Sequence, residues 1–124
     1  MDDASVVAAY EARPPYPESL VALILDIAGA VRPRLLDLGC GTAELTRRLA
    51  PHAGAIVAVD RSPRMIAAAR ALPGGDAANI AWIVAEMETA PLVGPFDLVT
   101  PFARPDLGLQ IETRVTRGTV AMAR

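Results

Sequence analysis

The sequence predicts an α/β fold in which a parallel sheet carries helices packed against it. Three observations predict it. Apolar runs of four or five residues recur at 35–38, 55–59, 80–84 and 96–100, the length and composition of buried strands. Between the first three lie stretches with the i, i+3, i+4 spacing of a helix face. The first run passes directly into a helical stretch through Gly39-Cys40-Gly41, a turn with no Cβ at its two ends.

That turn organises the chain. Leu35-Leu36-Asp37-Leu38 reads as a buried strand interrupted by one acid, and Thr42 is placed to cap a helix over 43–50 with Leu45 and Leu49 on one face. Strand, glycine turn and helix open a nucleotide-binding βα unit. A dinucleotide fingerprint would read G-x-G-x-x-G, but here Glu44 follows in the first helical turn. A carboxylate suits the positive end of a helix and repels a pyrophosphate placed there. Asp37 adds a second acid at the mouth of the turn. Two acids around Gly-x-Gly ask for a ligand with cationic groups and no phosphate. S-adenosylmethionine (SAM) has a sulfonium, an amino group, a ribose diol and an adenine. Asp60 lies nineteen residues after Gly41, close to the ~20-residue spacing at which such folds place the acid that receives ribose hydroxyls. NAD-binding folds use an acid there too, so Asp60 favours SAM only together with Asp37 and Glu44.

The stretch from Asp37 through Gly41 resembles motif I of class I SAM-dependent methyltransferases, with Ala43 in place of the third glycine. The resemblance implies a Rossmann-like sheet, order 3-2-1-4 over these strands, with SAM as cofactor. It also implies roles for residues elsewhere. Tyr10-Glu11-Ala12-Arg13-Pro14-Pro15-Tyr16-Pro17 is similar to a strap that lies over the cofactor in small-molecule methyltransferases, with Tyr10, Arg13 and Tyr16 at the methionine end and Arg13 available to its carboxylate. Arg61 would wall the adenine slot and Met65 would sit near it. Residues 85–92 match a loop whose acid accepts from the adenine amino group, which maps to Glu86, with the backbone of Met87 beside it. The implied cofactor set is Arg13, Asp37, Gly39, Cys40, Gly41, Asp60, Arg61, Met65, Glu86 and Met87. Phe96-Asp97-Leu98-Val99 is a familiar form of motif IV.

The remaining elements follow in order. Pro17 opens a helix at its first turn, Leu20, Leu23, Ile24 and Ile27 give it an apolar stripe, and Gly29 ends it. Ser62-Pro63 starts a helix to about Leu72, with Met65, Ile66, Ala69 and Leu72 inward, and Pro73-Gly74-Gly75 stops it. His52, at the far end of the helix after the glycine turn, is expected on the solvated surface. The chain of 124 residues is long enough for one domain. Its net charge of −2 has no basic patch to suggest a nucleic-acid partner, and its twelve basic residues are all Arg. The single cysteine, Cys40, excludes an internal disulfide and fits a reducing compartment. Neither a signal-peptide pattern nor an apolar run near ~20 residues is present, which predicts a soluble, cytoplasmic chain with no membrane contact and no metal site.

The resemblance runs from residue 7 to about 100. Residues 1–100 are read as the SAM-binding half of a methyltransferase, and 101–124 as a divergent tail, a hairpin or a stretch without designed structure, such as truncation or frameshift would leave. The tail alternates Leu109, Ile111, Thr113 and Val115 against Gln110, Glu112 and Arg114. The fourth strand, without its next neighbour, is an apolar edge open to self-association. The function read from these residues is SAM-dependent transfer to a small-molecule acceptor in the complete form. No catalytic residue is assigned, because the family builds its acceptor site beyond the fourth strand. Two alternatives stand beside it: a non-catalytic SAM-binding remnant and an NAD-binding Rossmann domain.

Overall fold

The computed structural model describes residues 15–101, 110–116 and 119–123. Helix α1 (Glu18–Ala28) leads into β1 (Arg34–Leu38), followed by α2 (Glu44–Leu49), a single 3-10 turn (Ala50–His52), β2 (Ala55–Asp60), α3 (Pro63–Ala71), β3 (Ile80–Val84) and β4 (Leu98–Pro101). The four strands form one parallel sheet in the order β3-β2-β1-β4. Register is set on β1, where Leu35 lies between Ile56 and Leu98 and Asp37 between Ala58 and Thr100.

Alternation along the strands splits the core into two layers. Leu35, Ile56, Ala58 and Ile80 pack with Val21 and Ile24 of α1, Leu45 and Leu49 of α2, and Ile66 and Ala69 of α3. Leu36, Leu38, Val59 and Val99 face the other way, against Phe96 and residues Met87, Ala90 and Leu92 of the β3–β4 connection. Leu35, Leu36 and Leu38 are almost wholly buried, and each such side chain contributes roughly 1.5–3 kcal/mol. Asp37 shares the helix-facing side of β1 with Leu35.

Several local expectations need correction. The stripe on α1 is displaced: Val21 and Ile24 are buried, whereas Leu23 and Ile27 are 52% and 60% exposed. The inward face is narrower than the apolar one, so it takes Val21 and Ile24, with Leu20, Leu25 and Ala28 at its margins. Pro17 is the extended residue before α1 rather than its first helical position, and Gly29 ends the helix in the left-handed region at φ 73°, donating to the Leu25 carbonyl. Thr42 does not cap α2: Ala43 precedes the helix with no side-chain cap, and α2 is the six residues Glu44–Leu49. Ser62 does cap α3, its hydroxyl accepting from the Met65 N–H at 3.2 Å. Gly75 lies where an added Cβ would stand 2.0 Å from the Ala69 carbonyl oxygen, so a side chain cannot fit.

β4 starts two residues later than expected because residues 96–97 are committed to Arg34. The Asp97 carboxylate accepts from the Arg34 N–H at 2.8 Å, and the Asp97 N–H donates to the Arg34 carbonyl at 2.7 Å. The Arg34 guanidinium donates to Val93 and Pro95 carbonyls and stands 5.0 Å over the Phe96 ring. Asn79 ties off the region after α2, donating to the carbonyls of Ala50 and Ala53 at 2.8 and 3.1 Å.

In the tail, β5 (Gln110–Thr116) and β6 (Thr119–Ala123) pair antiparallel, with a register irregularity between Ile111 and Val115. They form a separate two-stranded sheet and do not extend the parallel one. Among the described residues no helix is long and apolar enough to cross a membrane.

Candidate cofactor site

The site forms where β1 and β2 end side by side. The chain leaves β1 through Gly39 (φ 68°), Gly41 (φ 59°) and Ala43 (φ 60°), three left-handed residues within five positions. Two are glycines, for which this costs little; for Ala43 it costs about 1–2 kcal/mol. The pattern of left-handed backbone is therefore that of Gly-x-Gly-x-Gly, with alanine strained into the third position. Ala43 is buried, and its methyl packs in the helix-facing core.

Three backbone donors of the turn, those of Cys40, Gly41 and Ala43, are used within the protein. Cys40 N–H donates to the Val59 carbonyl at 2.9 Å and Ala43 N–H to the Cys40 carbonyl at 2.8 Å. Gly41 N–H donates to Oδ2 of Asp60 at 2.9 Å, and Oδ1 of Asp60 accepts from the Ser62 N–H at 2.9 Å. Asp60 is thus clamped between the glycine turn and the start of α3. A carboxylate offers about four lone-pair sites. One on each oxygen is taken, and one on each is left.

Asp37 is 2% exposed. Its Oδ2 accepts from the Thr46 hydroxyl at 2.6 Å, while Oδ1 has no hydrogen-bond partner among the described residues. Burial pushes its pKa from 3.8 up to about 7, against the opposing pull of the Thr46 and Thr100 hydroxyls, and the Asp60 charge adds to the rise. The Thr100 hydroxyl itself donates to the Leu36 carbonyl at 3.3 Å. Burial, with the charges of Asp37 and Asp60 nearby, likewise drives the Cys40 thiol far above its ordinary value. Cys40 is a buried turn residue and a thiol, not a thiolate nucleophile.

Glu44 has a different task from the one the sequence suggests. Its carboxylate accepts from the Tyr16 N–H at 2.9 and 3.3 Å and sits 3.8 Å from Arg48. Arg48 donates to the Tyr16 carbonyl and to Glu18. The two ends of α2 therefore grip the backbone of Tyr16 on both sides, and the Glu44 charge is answered by Arg48 rather than held out to a ligand.

Of the residues implied by the resemblance, Asp37, Gly39, Cys40, Gly41 and Asp60 come together. Arg61 is exposed directly after Asp60. The loop after β3 starts beside them, with Ala85 N–H donating to the Asp60 carbonyl at 3.0 Å. Glu86 is exposed there, and the Met87 methyl lies 3.7 Å from where a Cβ on Gly39 would be. Met65 is buried on α3. Tyr10 and Arg13 lie outside the described residues. His52 is exposed. Sequence reasoning missed Thr46, whose signal was a polar residue beside Leu45 on the inward face of the helix. Among the described residues no cluster of His, Cys, Asp or Glu is arranged to hold a metal ion.

A parallel sheet in the order 3-2-1-4, a glycine turn after its central strand and an acid ending the neighbouring strand define the core of a class I SAM-dependent methyltransferase-like fold. Residues 35–111 match the methyltransferase-domain family, and the chain belongs to it. The match continues past Thr100, where the resemblance legible in the sequence stops. An uncharacterized methyltransferase of Mycobacterium tuberculosis is 44% identical over 68 residues, and one of Mycobacterium bovis shows the same identity. That alignment takes in 54% of this chain and 27% of each relative, so the chain matches about a quarter of their length. Among solved structures, SAM-bound CalS10, an amino pentose methyltransferase from Micromonospora echinaspora involved in calicheamicin biosynthesis, is 32% identical with a TM-score of 0.60. It covers 77% of this chain, which in turn covers 40% of it. The magnesium protoporphyrin IX methyltransferase ChlM from Synechocystis, with bound SAH, shares the fold at 22% identity and a TM-score of 0.56, over 68% of this chain and 39% of its own.

Proposed function

We propose that this chain binds SAM across the ends of β1 and β2 and supplies the donor half of a methyltransferase acting on a small-molecule acceptor. The observation that carries the reading is the seat of Asp60. Its two oxygens are each fixed by one backbone amide and each retain a lone pair, the arrangement that receives both hydroxyls of a ribose diol through charge-assisted bonds. The same bond takes the Gly41 amide that a pyrophosphate would need, which supports SAM over NAD.

The other residues fit the cofactor as well. Asp37 Oδ1 is a buried acceptor without a partner among the described residues, and the SAM α-ammonium is a cation that would satisfy it. Glu86, with Arg61 at the rim, is available to the adenine, and Met87 keeps the loop packed on Gly39. Met65 contributes to the site by supporting α3 from within. Bound SAM would supply an electrophilic methyl on its sulfonium. The work of this chain is to hold the donor in one orientation, since in-line alignment of donor and acceptor accounts for ~7–11 kcal/mol of barrier in well-oriented reactions.

The acceptor half is not assigned to any residue of this chain. The likeness to CalS10, which acts on an amino pentose by its description, supports a small-molecule acceptor. We read residues 1–100 as the cofactor unit and 101–124 as a distinct tail. Calorimetry with SAM, S-adenosylhomocysteine and NAD tests the reading. SAM and its demethylated product are expected to bind and NAD not, and Asp60→Ala is expected to weaken SAM by about 1.5–3 kcal/mol. Preference for NAD, or an Asp60→Ala variant that binds SAM like the parent, would overturn it.

A further inference from the structure

The Asp37–Thr46 pair is not accounted for by cofactor contact alone. Thr46 is fully buried on α2, and its hydroxyl holds Oδ2 of the Asp37 carboxyl at 2.6 Å, while Oδ1 has no partner among the described residues. A carboxylate has two equivalent oxygens and rotates unless something holds it. We propose that Thr46 is a positioning residue for the cofactor: its hydroxyl holds one oxygen of Asp37, leaving the other for the ligand's ammonium, and cofactor binding expels the proton that Asp37 carries. This rests on the SAM reading above.

The charge environment supports the second half. From β2 the titratable neighbour is Asp60, and from the turn it is Cys40, which remains a thiol. From α2 comes the Thr46 hydroxyl and from β4 the Thr100 hydroxyl, neither of which ionises near neutrality. The charged residues of α2 are engaged elsewhere: Glu44 with Tyr16 and Arg48, Arg48 with Tyr16 and Glu18, and Arg47 with the Thr42 and Pro73 carbonyls. Glu86 and Arg61 are exposed at the rim. No described cation therefore faces Asp37, and its carboxyl holds a proton up to about pH 7. An arriving ammonium supplies the missing cation. The Asp37 proton passes to solvent, the ammonium keeps its own, and the net change is one proton released per ligand bound.

Two readouts test this. Carbon-13 NMR of the Asp37 carboxyl in the ligand-free protein is expected to titrate near neutrality. Thr46→Val removes a bond that favours the ionised form and should raise the midpoint by about one to two pH units, while Thr46→Ser should titrate with the parent. Thr46→Ala replaces the valine variant if that one fails to fold. Calorimetry with SAM in two buffers of different ionisation enthalpy should show proton release and an affinity that rises about tenfold per pH unit below the midpoint. At pH 7 Thr46→Val should bind about five- to fiftyfold more weakly, a gap that narrows as pH rises. A merely structural threonine would leave a gap independent of pH. The ligand's own α-ammonium, with an ordinary value near ~8, sets an alkaline limb common to all variants. An unmoved midpoint in Thr46→Val, or SAM affinity that is flat across pH, overturns the inference and leaves the cofactor reading standing. SAM that binds at no pH, with the NMR midpoint moving as expected, overturns the cofactor reading and the proton-coupled binding with it.

Discussion

Replacing Asp37 by Asn should remove the loss of stability that this carboxyl imposes as pH rises. The carboxyl titrates at about 7 in the folded chain against an ordinary 3.8, so the folded state holds this proton more tightly than the unfolded one. Unfolding then releases a proton between about pH 4 and 7, and stability falls as pH rises through that window, by up to about 1.4 kcal/mol per unit. Below the window the contribution is constant because both states are protonated; above it the loss is complete. Summed over the whole window, the loss comes to about 4 kcal/mol, an upper figure because water entry on partial opening would relieve it. Asn keeps a carbonyl oxygen for the Thr46 hydroxyl and cannot ionise. Near pH 5 the variant is expected to exceed the parent by about 2 kcal/mol, and by pH 8 by about 4 kcal/mol. Urea unfolding at intervals from pH 5 to 8.5 measures the difference, from which carboxylates common to both proteins cancel. A difference that stays constant within about 0.5 kcal/mol over that range would show that Asp37 does not titrate as its burial requires.

Two further substitutions probe the frame of the site. Glu44→Ala removes both bonds to the Tyr16 N–H and the partner of Arg48, and should cost about 1–2 kcal/mol, discounted for its partial exposure; Glu44→Gln should recover about half in urea unfolding, and a Glu44→Ala variant as stable as the parent would remove the anchoring role. Ala43→Val places a β-branched side chain in the left-handed region at a buried position and should cost more than about 3 kcal/mol. Ala43→Gly should stay within about 1 kcal/mol, because relief of strain is offset by a lost methyl and a freer unfolded chain; denaturation midpoints of the pair decide this.

What the sequence carried, it carried locally. The β1–turn–α2 unit, the Ser62 cap and the strand at 80–84 are written in neighbouring residues, through periodicity, capping and breaker signals. What it did not show depends on partners far along the chain. Glu44 reads as an acid at a helix start until Tyr16, 28 residues earlier, is seen to occupy it. Thr46 reads as one polar residue in an amphipathic helix until β1 brings Asp37 beneath it. The outward turn of Leu23 and Ile27 was hidden because an apolar stripe fixes the direction of a helix face only to within its own width. Residues 96–97 read as strand because Phe96 continues the apolar run of β4, although the Asp97 carboxylate and N–H are both used by Arg34 and its guanidinium covers the Phe96 ring.

On the proposed SAM reading, the seat of Asp60 would let one short turn discriminate among nucleotides without a dedicated repulsive residue. A phosphate is bound by backbone amides that have no other acceptor. Here the amides of Cys40, Gly41 and Ala43 are each paired, and the Gly41 amide is held by an ionisable carboxylate, the strongest competitor the protein can offer. A phosphate would have to displace Asp60 and then sit beside both Asp60 and Asp37. A diol needs no displacement, because it donates where the amides have left acceptors. On that reading the selectivity does not call on Glu44, whose carboxylate holds the Tyr16 N–H. On that reading the preference against phosphate would reside in the hydrogen-bond accounting of the turn, while the acid in the first turn of α2 holds Tyr16.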